Sequence, residues 1–541
     1  MVPAPHGTGE VFRVFIFRGC GTQPACEIFK EIPALTYLKQ HVLGTVHVET
    51  LGCKLNLADS EILVNSFQKA GFKLAPPGSS PSIYILNTCT VTHVADRKAR
   101  HLLRNARKRY PDALIVATGC YAQRDKEALE DTGVVDIVAG NESKPRLVEI
   151  VRDTLGVGDD ISTGAEHYPM RYPIPLRDAS ELSQARDVRS FLKIQEGCND
   201  VCSYCIIPKV RGRSHHFSIR ELVQQVQAKE AEGCREVVLT GTQLGDYGLK
   251  RPGRTTNNRP EGSQLVQLLQ ALLDKTSVPR VRVSSLQPQD IDERLLEPWS
   301  DPRMCRHFHM PLQSGDNKVL NSMRRRYTVE EFSSAVEAIR RHVPNVSITT
   351  DLIVGYPGET EEAFDETYRF CDEMRFAAIH LFPYSIREGT SAARIKEQVH
   401  DKIKRERMDT MLKLASESTS RFLNRMVGVS FPVLWEEQKT IEGGGSPRTA
   451  WSGLTDNYIR VYAHDTRDLR GHITYTRLVS VAANGFVWGE LQEKNELTQQ
   501  GLYGPCVLDD AYPGGRHGLG GMDCSQGVGQ LSKSTGPLRL Q

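Results

Sequence analysis

From Thr45 onward, short runs of β-branched and apolar residues alternate with longer stretches whose apolar positions recur every three to four residues. TVHVET, SIYILNT, ALIVATG and VVDIVAG read as buried strands, and the segments near Asp59 to Ala70 and Val94 to Arg109 read as helices. That alternation predicts an α/β fold with a helix-covered parallel sheet over residues 45–155. Residues 156–187, mixing Asp, Gly, Ser and Pro, read as a linker. The alternation restarts at 188 with FLKIQEG, EVVLTG, RVRVSS, HFHMP, SITTDLIVG and AIHLFPYS. Six βα units in a row predict a partial (β/α)6 barrel reaching to about 426, with reacting groups at the C-terminal ends of its strands. Over residues 427–491, SFPVLWEEQ, TAWSGLTDNYIRVYA, HITYTRLVSVAA and GFVWGEL alternate with turn residues, as in a small all-β barrel. Residues 1–44 read as a peripheral extension, and residues 492–541, rich in Gly and Ser, as a disordered tail.

Composition narrows the class. The 541 residues carry 68 basic against 66 acidic side chains, so any nucleic-acid surface must be local. No uninterrupted apolar run reaches the ~18 residues of a membrane span, and the N-terminal residues lack a secretory h-region, so a cytoplasmic address with no membrane partner is expected. Thirteen cysteines in such a chain argue for metal or redox chemistry in some of them rather than a disulfide framework.

The first barrel strand runs into CNDVCSYC, which spaces Cys198, Cys202 and Cys205 as CxxxCxxC. Three thiolates so close in one loop suit a single iron–sulfur centre with one open position. Zinc is the alternative, with His215 or His216 as a fourth ligand. Three more cysteines end strand-like runs: Cys53 after TVHVETLG, Cys89 after SIYILNT and Cys120 after ALIVATG. Alone, Cys89 would read as a small buried hydrophobe. The three stand one βα unit apart, however, and successive units of a parallel sheet bring their C-terminal loops to one edge. Helix N-termini beside these thiols are expected to favour the thiolate.

The ordered motifs GCKLNLADSE (Gly52 to Glu61), NTCTVTHVADRKAR (Asn87 to Arg100), ATGCYAQ (Ala117 to Gln123), GCNDVCSYCIIPKVRG (Gly197 to Gly212), HMPLQSGDN (His309 to Asn317), MRRRYT (Met323 to Thr328) and DLIVGYPGET (Asp351 to Thr360) resemble the methylthiotransferases, a branch of the radical SAM enzymes. The resemblance covers about Thr45 to Leu491. It implies an N-terminal α/β domain, a radical SAM barrel and a C-terminal TRAM module. It also implies two 4Fe–4S clusters, one at Cys53, Cys89 and Cys120 for sulfur delivery, the other at Cys198, Cys202 and Cys205 for S-adenosyl-L-methionine and its 5'-deoxyadenosyl radical. Such chemistry reaches the unactivated hydrogen on carbon 2 of an adenine, which no side-chain base can remove. NTCTVT with ADRKAR, FLKIQEGCN and VSSLQP resemble the branch acting on threonylcarbamoyladenosine in tRNA. Sister branches act on isopentenyladenosine in tRNA or on a ribosomal-protein aspartate, and a noncatalytic RNA-binding sensor is a further alternative.

Small residues at barrel strand ends, Gly241, Gly245, Gly355 and Gly358, together with Ser284 of VSSLQP, are the candidates to line S-adenosylmethionine; the glycines serve βα turns equally well. The implied partners are tRNA, a reducing electron donor of the flavodoxin or ferredoxin type, and a sulfur donor. DRKARHLLRNARKRY, Asp96 to Tyr110, carries seven Lys or Arg against one Asp. On a helix Arg97, Arg100, Arg104, Arg107 and Lys108 share one face, a candidate track for phosphates, although a charged stripe is more often a solvated face. Lys209, Arg211 and Arg213, and then Arg324 to Arg326, are further candidates. The C-terminal module has six basic against seven acidic residues between Val427 and Glu490, so an RNA role there would rest on aromatics such as Trp451, Tyr458 and Tyr462.

Overall fold

The computed structural model describes residues 43–156, 188–249, 263–441, 448–482 and 485–492. Apart from their edge residues, the expected N-terminal extension, linker and C-terminal tail lie outside the described residues. Strands β1 (Thr45–Thr50), β2 (Lys73–Leu74), β3 (Ile83–Thr88), β4 (Leu114–Gly119) and β5 (Ile137–Ala139) form a parallel sheet in the order β2-β1-β3-β4-β5. β3 is buried at all six positions, as the central strand of a doubly covered sheet must be. Helices α1 (Lys54–Lys69), α2 (His93–Arg109) and α3 (Cys120–Arg124) follow β1, β3 and β4. The two-residue β2 is too short to leave a pattern in the sequence. α1 starts five residues before the predicted helix does, because its first turns bury Asn56, Asp59, Ser60 and Glu61 alongside Leu55 and Ala58, which hides the apolar period.

β6 (Arg189–Lys193) leads to a short hairpin of β7 (Gln195–Glu196) and β8 (His215–His216). With β9 (Glu236–Thr240) and β10 (Arg280–Val283) it forms one parallel sheet; β11 (His307–His309), β12 (Ser347–Val354) and β13 (Ala378–Pro383) form another. Single parallel bridges, Val281 to Met304 and Ser285 to His309, join the two into a partial barrel. Strand alternation sorts its faces: Leu192, Leu239, Val283, Phe308 and Leu352 enter one large apolar core. Arg282, Glu236, His307, His309 and Asp351, at the intervening positions, line a polar lumen. α1 lies along the edge strand β6, with Asp59 2.7 Å from Lys193 and Glu61 3.3 Å from Lys229. No described helix is long and apolar enough to cross a membrane.

The C-terminal module is a closed five-strand barrel of β14 (Ser430–Ile441), β15 (Arg448–Thr455), β16 (Arg460–Ala463), β17 (Ile473–Val481) and β18 (Val487–Leu491), packed around Trp435, Val461 and Leu478. It closes the N-terminal end of the larger barrel, where Arg189, Glu236 and Arg280 open their strands. Arg280 donates to the carbonyls of Pro432 and Leu454, Arg282 to that of Asp456, and Arg306 pairs with the Asp456 carboxylate at 2.6 Å. Glu436 pairs with Arg189 and Arg460. Two of the acids that cancel the module's basic charge are therefore spent on docking it.

Glu236 is the hub of this junction, in contact with Arg189, Arg280 and Arg282. Burial works to raise its carboxyl, and the three guanidinium groups more than offset that, holding it well below the usual carboxylate range. Its contribution to stability is thus present above the unfolded value of 4.5 and lost as pH falls below it. Glu236→Gln leaves buried arginines uncompensated and is expected to cost ~3–5 kcal/mol. Thermal unfolding at pH 7 checks the loss, and the gap between variant and unaltered protein should narrow as pH falls below 4.5.

Candidate active site

Because β1, β3 and β4 are neighbours, the loops that follow them meet. Cys53 is the N-cap of α1, Cys89 directly follows β3, and Cys120 is the first residue of α3. Glycine permits the crowding: Gly52 has φ +110°, and a Cβ on it would stand 2.7 Å from the Cys89 Cβ; at Gly119, φ +97°, one would stand 2.5 Å from the Thr88 carbonyl. Buried polar groups tie the three loops together. Asn56 Nδ2 donates to the carbonyls of Leu51 (2.6 Å) and Thr88 (3.0 Å), while Thr88 Oγ1 donates to the Thr118 carbonyl and accepts from the Tyr121 N–H. Sequence reasoning missed Asn56 and Thr88; both lie inside the quoted motifs.

Cys198, Cys202 and Cys205 follow β7. Gly197, φ +74°, has no room for a Cβ, which would fall 2.1 Å from the Arg213 carbonyl. The Asp200 N–H donates to Cys198 Sγ at 3.4 Å, and Arg325 Nη1 donates to Cys202 Sγ at 3.4 Å while its guanidinium lies 4.8 Å from the Tyr327 ring centroid. All six cysteines are free thiols. Among the described residues, one trio of His, Cys or acidic ligand atoms gathers within 4.8 Å: His309, Asp351 and His380. Neither sulfur triad closes to that distance, whereas one tetrahedral zinc would hold its sulfurs about 3.8 Å apart. Three free thiols in each set are the soft donors that an iron–sulfur cluster takes. His215 and His216 are exposed on β8, and among the described residues neither joins a grouping of three ligand atoms.

The expected thiolate bias is reversed where burial acts. Burial, with Cys53 beside it, pushes the Cys89 thiol up to about 12. Burial likewise pushes Cys198 and Cys205 up to about 12. Cys89 stands three residues before Thr92, the N-cap of α2, too far to use that helix terminus. Metal binding must supply the drive for deprotonation.

The two triads share a wall. Helix α4 (Ile207–Val210), leaving the Cys198 loop, packs Ile206 and Val210 against Cys120. Asn141 Nδ2 donates both to Cys120 Sγ (3.6 Å) and to the Val210 carbonyl (2.8 Å). Arg211, the C-cap of α4, contacts Asn56 and Asp59 on α1 and Glu196 on β7. Its charge faces Cys53 and Cys120.

Buried polar atoms without partners stand beyond β9 and β10: Thr242 Oγ1, Gln243 Nε2 and Ser284 Oγ. Orphans at strand ends beside Cys198 suit a polar cofactor such as S-adenosylmethionine. Thr242 and Gln243 were not singled out from sequence, though they lie in LTGTQLG. The glycines have other reasons. At Gly245 the space of a Cβ is taken by the Asp290 carboxylate, 2.0 Å away; at Gly241 it is taken by Leu244 and Gln195, and at Gly355 by Lys404. Gly358, φ +81°, has nothing within 4 Å of that point. Ser284 is thus the member of that set with a free group to offer.

On α2, Arg97, Arg104 and Lys108 are exposed, while Ala99, Leu103 and Ala106 are buried. Arg107 is spent internally, on the carbonyls of Val134, Pro111 and Ala113 and on Asp136, and Arg100 bonds Tyr121. Arg211 is buried, Arg325 is half-buried against Cys202 and Tyr327, and Arg326 pairs with Asp200, so these three are structural. Trp451 is buried, which removes it from the module's outer surface; Tyr458 stays exposed, with its ring turned towards His307 and Arg282 of the barrel lumen.

Residues 192–371 match the family model described as "Radical SAM superfamily", and residues 45–140 match "Uncharacterized protein family UPF0004". The chain is 33% identical over 466 residues to the threonylcarbamoyladenosine tRNA methylthiotransferase MtaB of Bacillus subtilis, covering 83% of this chain and 96% of that one. With the protein of the same name from Aquifex aeolicus the identity is 35%, over 77% of this chain and 96% of the other. With the tRNA-2-methylthio-N(6)-dimethylallyladenosine synthase of Syntrophotalea carbinolica it is 31%, over 82% and 98%.

Proposed function

The chain belongs to the tRNA methylthiotransferases of the radical SAM superfamily, which use two 4Fe–4S clusters and S-adenosylmethionine, and from that premise we propose that it methylthiolates carbon 2 of N6-threonylcarbamoyladenosine beside the anticodon. The carrying observation is the shared wall of the two cysteine triads, with Cys120 packed on Ile206 and Val210. A reaction that draws sulfur from one centre and a hydrogen-abstracting radical from the other needs both to face one substrate carbon. In this reading Cys53, Cys89 and Cys120 hold the auxiliary cluster, and Cys198, Cys202 and Cys205 hold the one that engages S-adenosylmethionine. When bound, these groups supply the radical and the activated sulfur. Asn56, Thr88 and Asn141 fix the thiols, Arg325 adds a hydrogen bond to one of them, and Thr242, Gln243 and Ser284 offer polar groups to the cofactor. The threonylcarbamoyl substrate is supported by the names of the MtaB relatives; the dimethylallyl relative keeps isopentenyladenosine as the rival. A flavodoxin- or ferredoxin-like donor supplies electrons and a separate donor restores sulfur.

Nucleoside mass spectrometry of tRNA decides. Deletion of the gene in cells without a paralogue is expected to remove 2-methylthio-N6-threonylcarbamoyladenosine, and its persistence would refute the substrate reading. Contact with tRNA is assigned to the exposed side chains of α2. Replacing Arg97, Arg104 and Lys108 together by Ala should weaken tRNA binding and lower the slope of log K against log salt by about 2–3. Arg107→Ala should lower the melting temperature and leave that slope unchanged.

A further inference from the structure

We propose that the barrel lumen receives a carboxylate-bearing substituent of the target base, with Lys54 as its counter-ion and Tyr458 as the wall that places it. The proposal rests on the threonylcarbamoyl reading above and names the residues that would recognise it.

Lys54 is the residue after Cys53, at the start of α1, and its ammonium points into the lumen, 5.6 Å from the centroid of the Tyr458 ring. It makes no ion pair and donates no side-chain hydrogen bond to any described residue. The lumen arginines are matched: Arg189, Arg280 and Arg282 all contact Glu236, and the latter two also hold carbonyls of the C-terminal module. The titratable and charged groups facing Lys54 are Tyr458, Arg282, Arg189 and Asp351. Asp351, the one acid among them, already accepts from His309 Nε2 at 3.2 Å and His380 Nδ1 at 3.1 Å. His309 is fixed in turn by Thr349 Oγ1 on its other nitrogen. Among the described residues Lys54 is left without an ion-pair partner, facing two arginines that already share Glu236.

Tyr458 is built into this place at a conformational cost. It stands at φ +73°, a region that bulky side chains seldom adopt, on the turn between β15 and β16. Thr455 holds the turn, its Oγ1 accepting from the Ile459 N–H at 2.7 Å and donating to Asn457 at 2.6 Å. The ring then stacks on His307 at 4.4 Å with an 11° interplanar angle and lies 4.9 Å from the Arg282 guanidinium. An aromatic face presented beside an ammonium without an ion-pair partner, one residue on from Cys53, suits a base substituent ending in an anion. A dimethylallyl group would leave the ammonium unpaired, whereas the threonyl carboxylate completes a charge-assisted pair.

Anaerobically reconstituted full-length protein tests this with three anticodon stem-loops that carry N6-threonylcarbamoyladenosine, its carboxylate methyl ester, or plain adenosine. Fluorescence anisotropy at one salt concentration reads binding, and iron content checks each preparation. The unaltered protein is expected to bind the free carboxylate at least about tenfold more tightly than the ester. Lys54→Met should bind the two alike, and Lys54→Arg should keep most of the preference. Equal binding of acid and ester by the unaltered protein would overturn the proposal without any variant. A preference that survives in Lys54→Met would overturn the lysine assignment and leave the substrate reading intact. If Lys54→Met weakens S-adenosylmethionine binding instead, the counter-ion belongs to the cofactor and the proposal falls. No preference for the threonylcarbamoyl stem-loop over plain adenosine, with no methylthiolated product from it, would overturn the substrate reading and this proposal together.

Discussion

Anaerobically reconstituted Cys89→Ala protein is expected to hold about four irons per chain against about eight in the unaltered protein. It should still cleave S-adenosylmethionine to 5'-deoxyadenosine and form no methylthiolated nucleoside. The separation follows from the fold. Cys89 lies in the N-terminal sheet between the loops of Cys53 and Cys120, while the residues expected to engage S-adenosylmethionine stand on the barrel. Removing one small buried side chain beside Gly52 leaves the hydrogen bonds of Asn56 and Thr88 in place, so the sheet should remain folded. The converse variant, Cys202→Ala, should keep the auxiliary iron and lose 5'-deoxyadenosine formation altogether. Iron analysis with chromatography of the reaction mixture reads both outcomes. Eight irons in Cys89→Ala, or product from it, would remove Cys89 from the ligand set.

The sequence showed where such residues sit because strand ends are marked locally. An apolar run stops, a glycine or small polar residue follows, and a cysteine comes next, as in LGC, NTC and TGC. Neighbouring βα units then bring those ends together without long-range information. What stayed hidden depends on pairs far apart in the chain. Lys193 and Asp59 are separated by 134 residues, Lys229 and Glu61 by 168, and each residue alone looks like an ordinary surface charge. The acids of the C-terminal module were opaque for the same reason: Glu436 and Asp456 entered its charge count, and each has a barrel arginine, Arg189 and Arg306, as a partner.

The Thr-Val-Thr of NTCTVT has a local role that its pattern did not reveal. Thr90 donates to Asp96, which Arg387 and Arg124 also hold, and Thr92 caps α2 by accepting from the Ala95 N–H. These residues anchor the basic helix to the barrel's last loop. Their bearing on substrate choice is therefore indirect, through the placement of α2. The groups proposed to receive the base substituent, Lys54 and Tyr458, stand 404 positions apart in the chain, and no spacing rule connects them.

Arg211→Met should separate the two halves of the reaction without removing a cysteine. The guanidinium is buried between Asp59 and Asn56 of α1 and Glu196 of β7, and it also faces Cys53 and Cys120. Asp59 would keep Lys193 and Lys144 in the variant, so the acid is not stranded, but the tie between α4 and α1 is cut. Loss of one member of a buried charge network is expected to cost ~3–5 kcal/mol, visible as a lower melting temperature. S-adenosylmethionine cleavage depends on the barrel and should stay within a few-fold of the unaltered rate. Methylthiolation depends on how α4 is set against the auxiliary cysteines, and a displacement of about 1 Å there should lower it by ~100-fold. Arg211→Lys keeps a positive charge but not the fork that reaches three partners, so it should recover stability more than coupling. Parallel losses of cleavage and methylthiolation would mean that Arg211 serves the barrel alone, whereas an uneven loss places the alignment of the two triads on this one guanidinium.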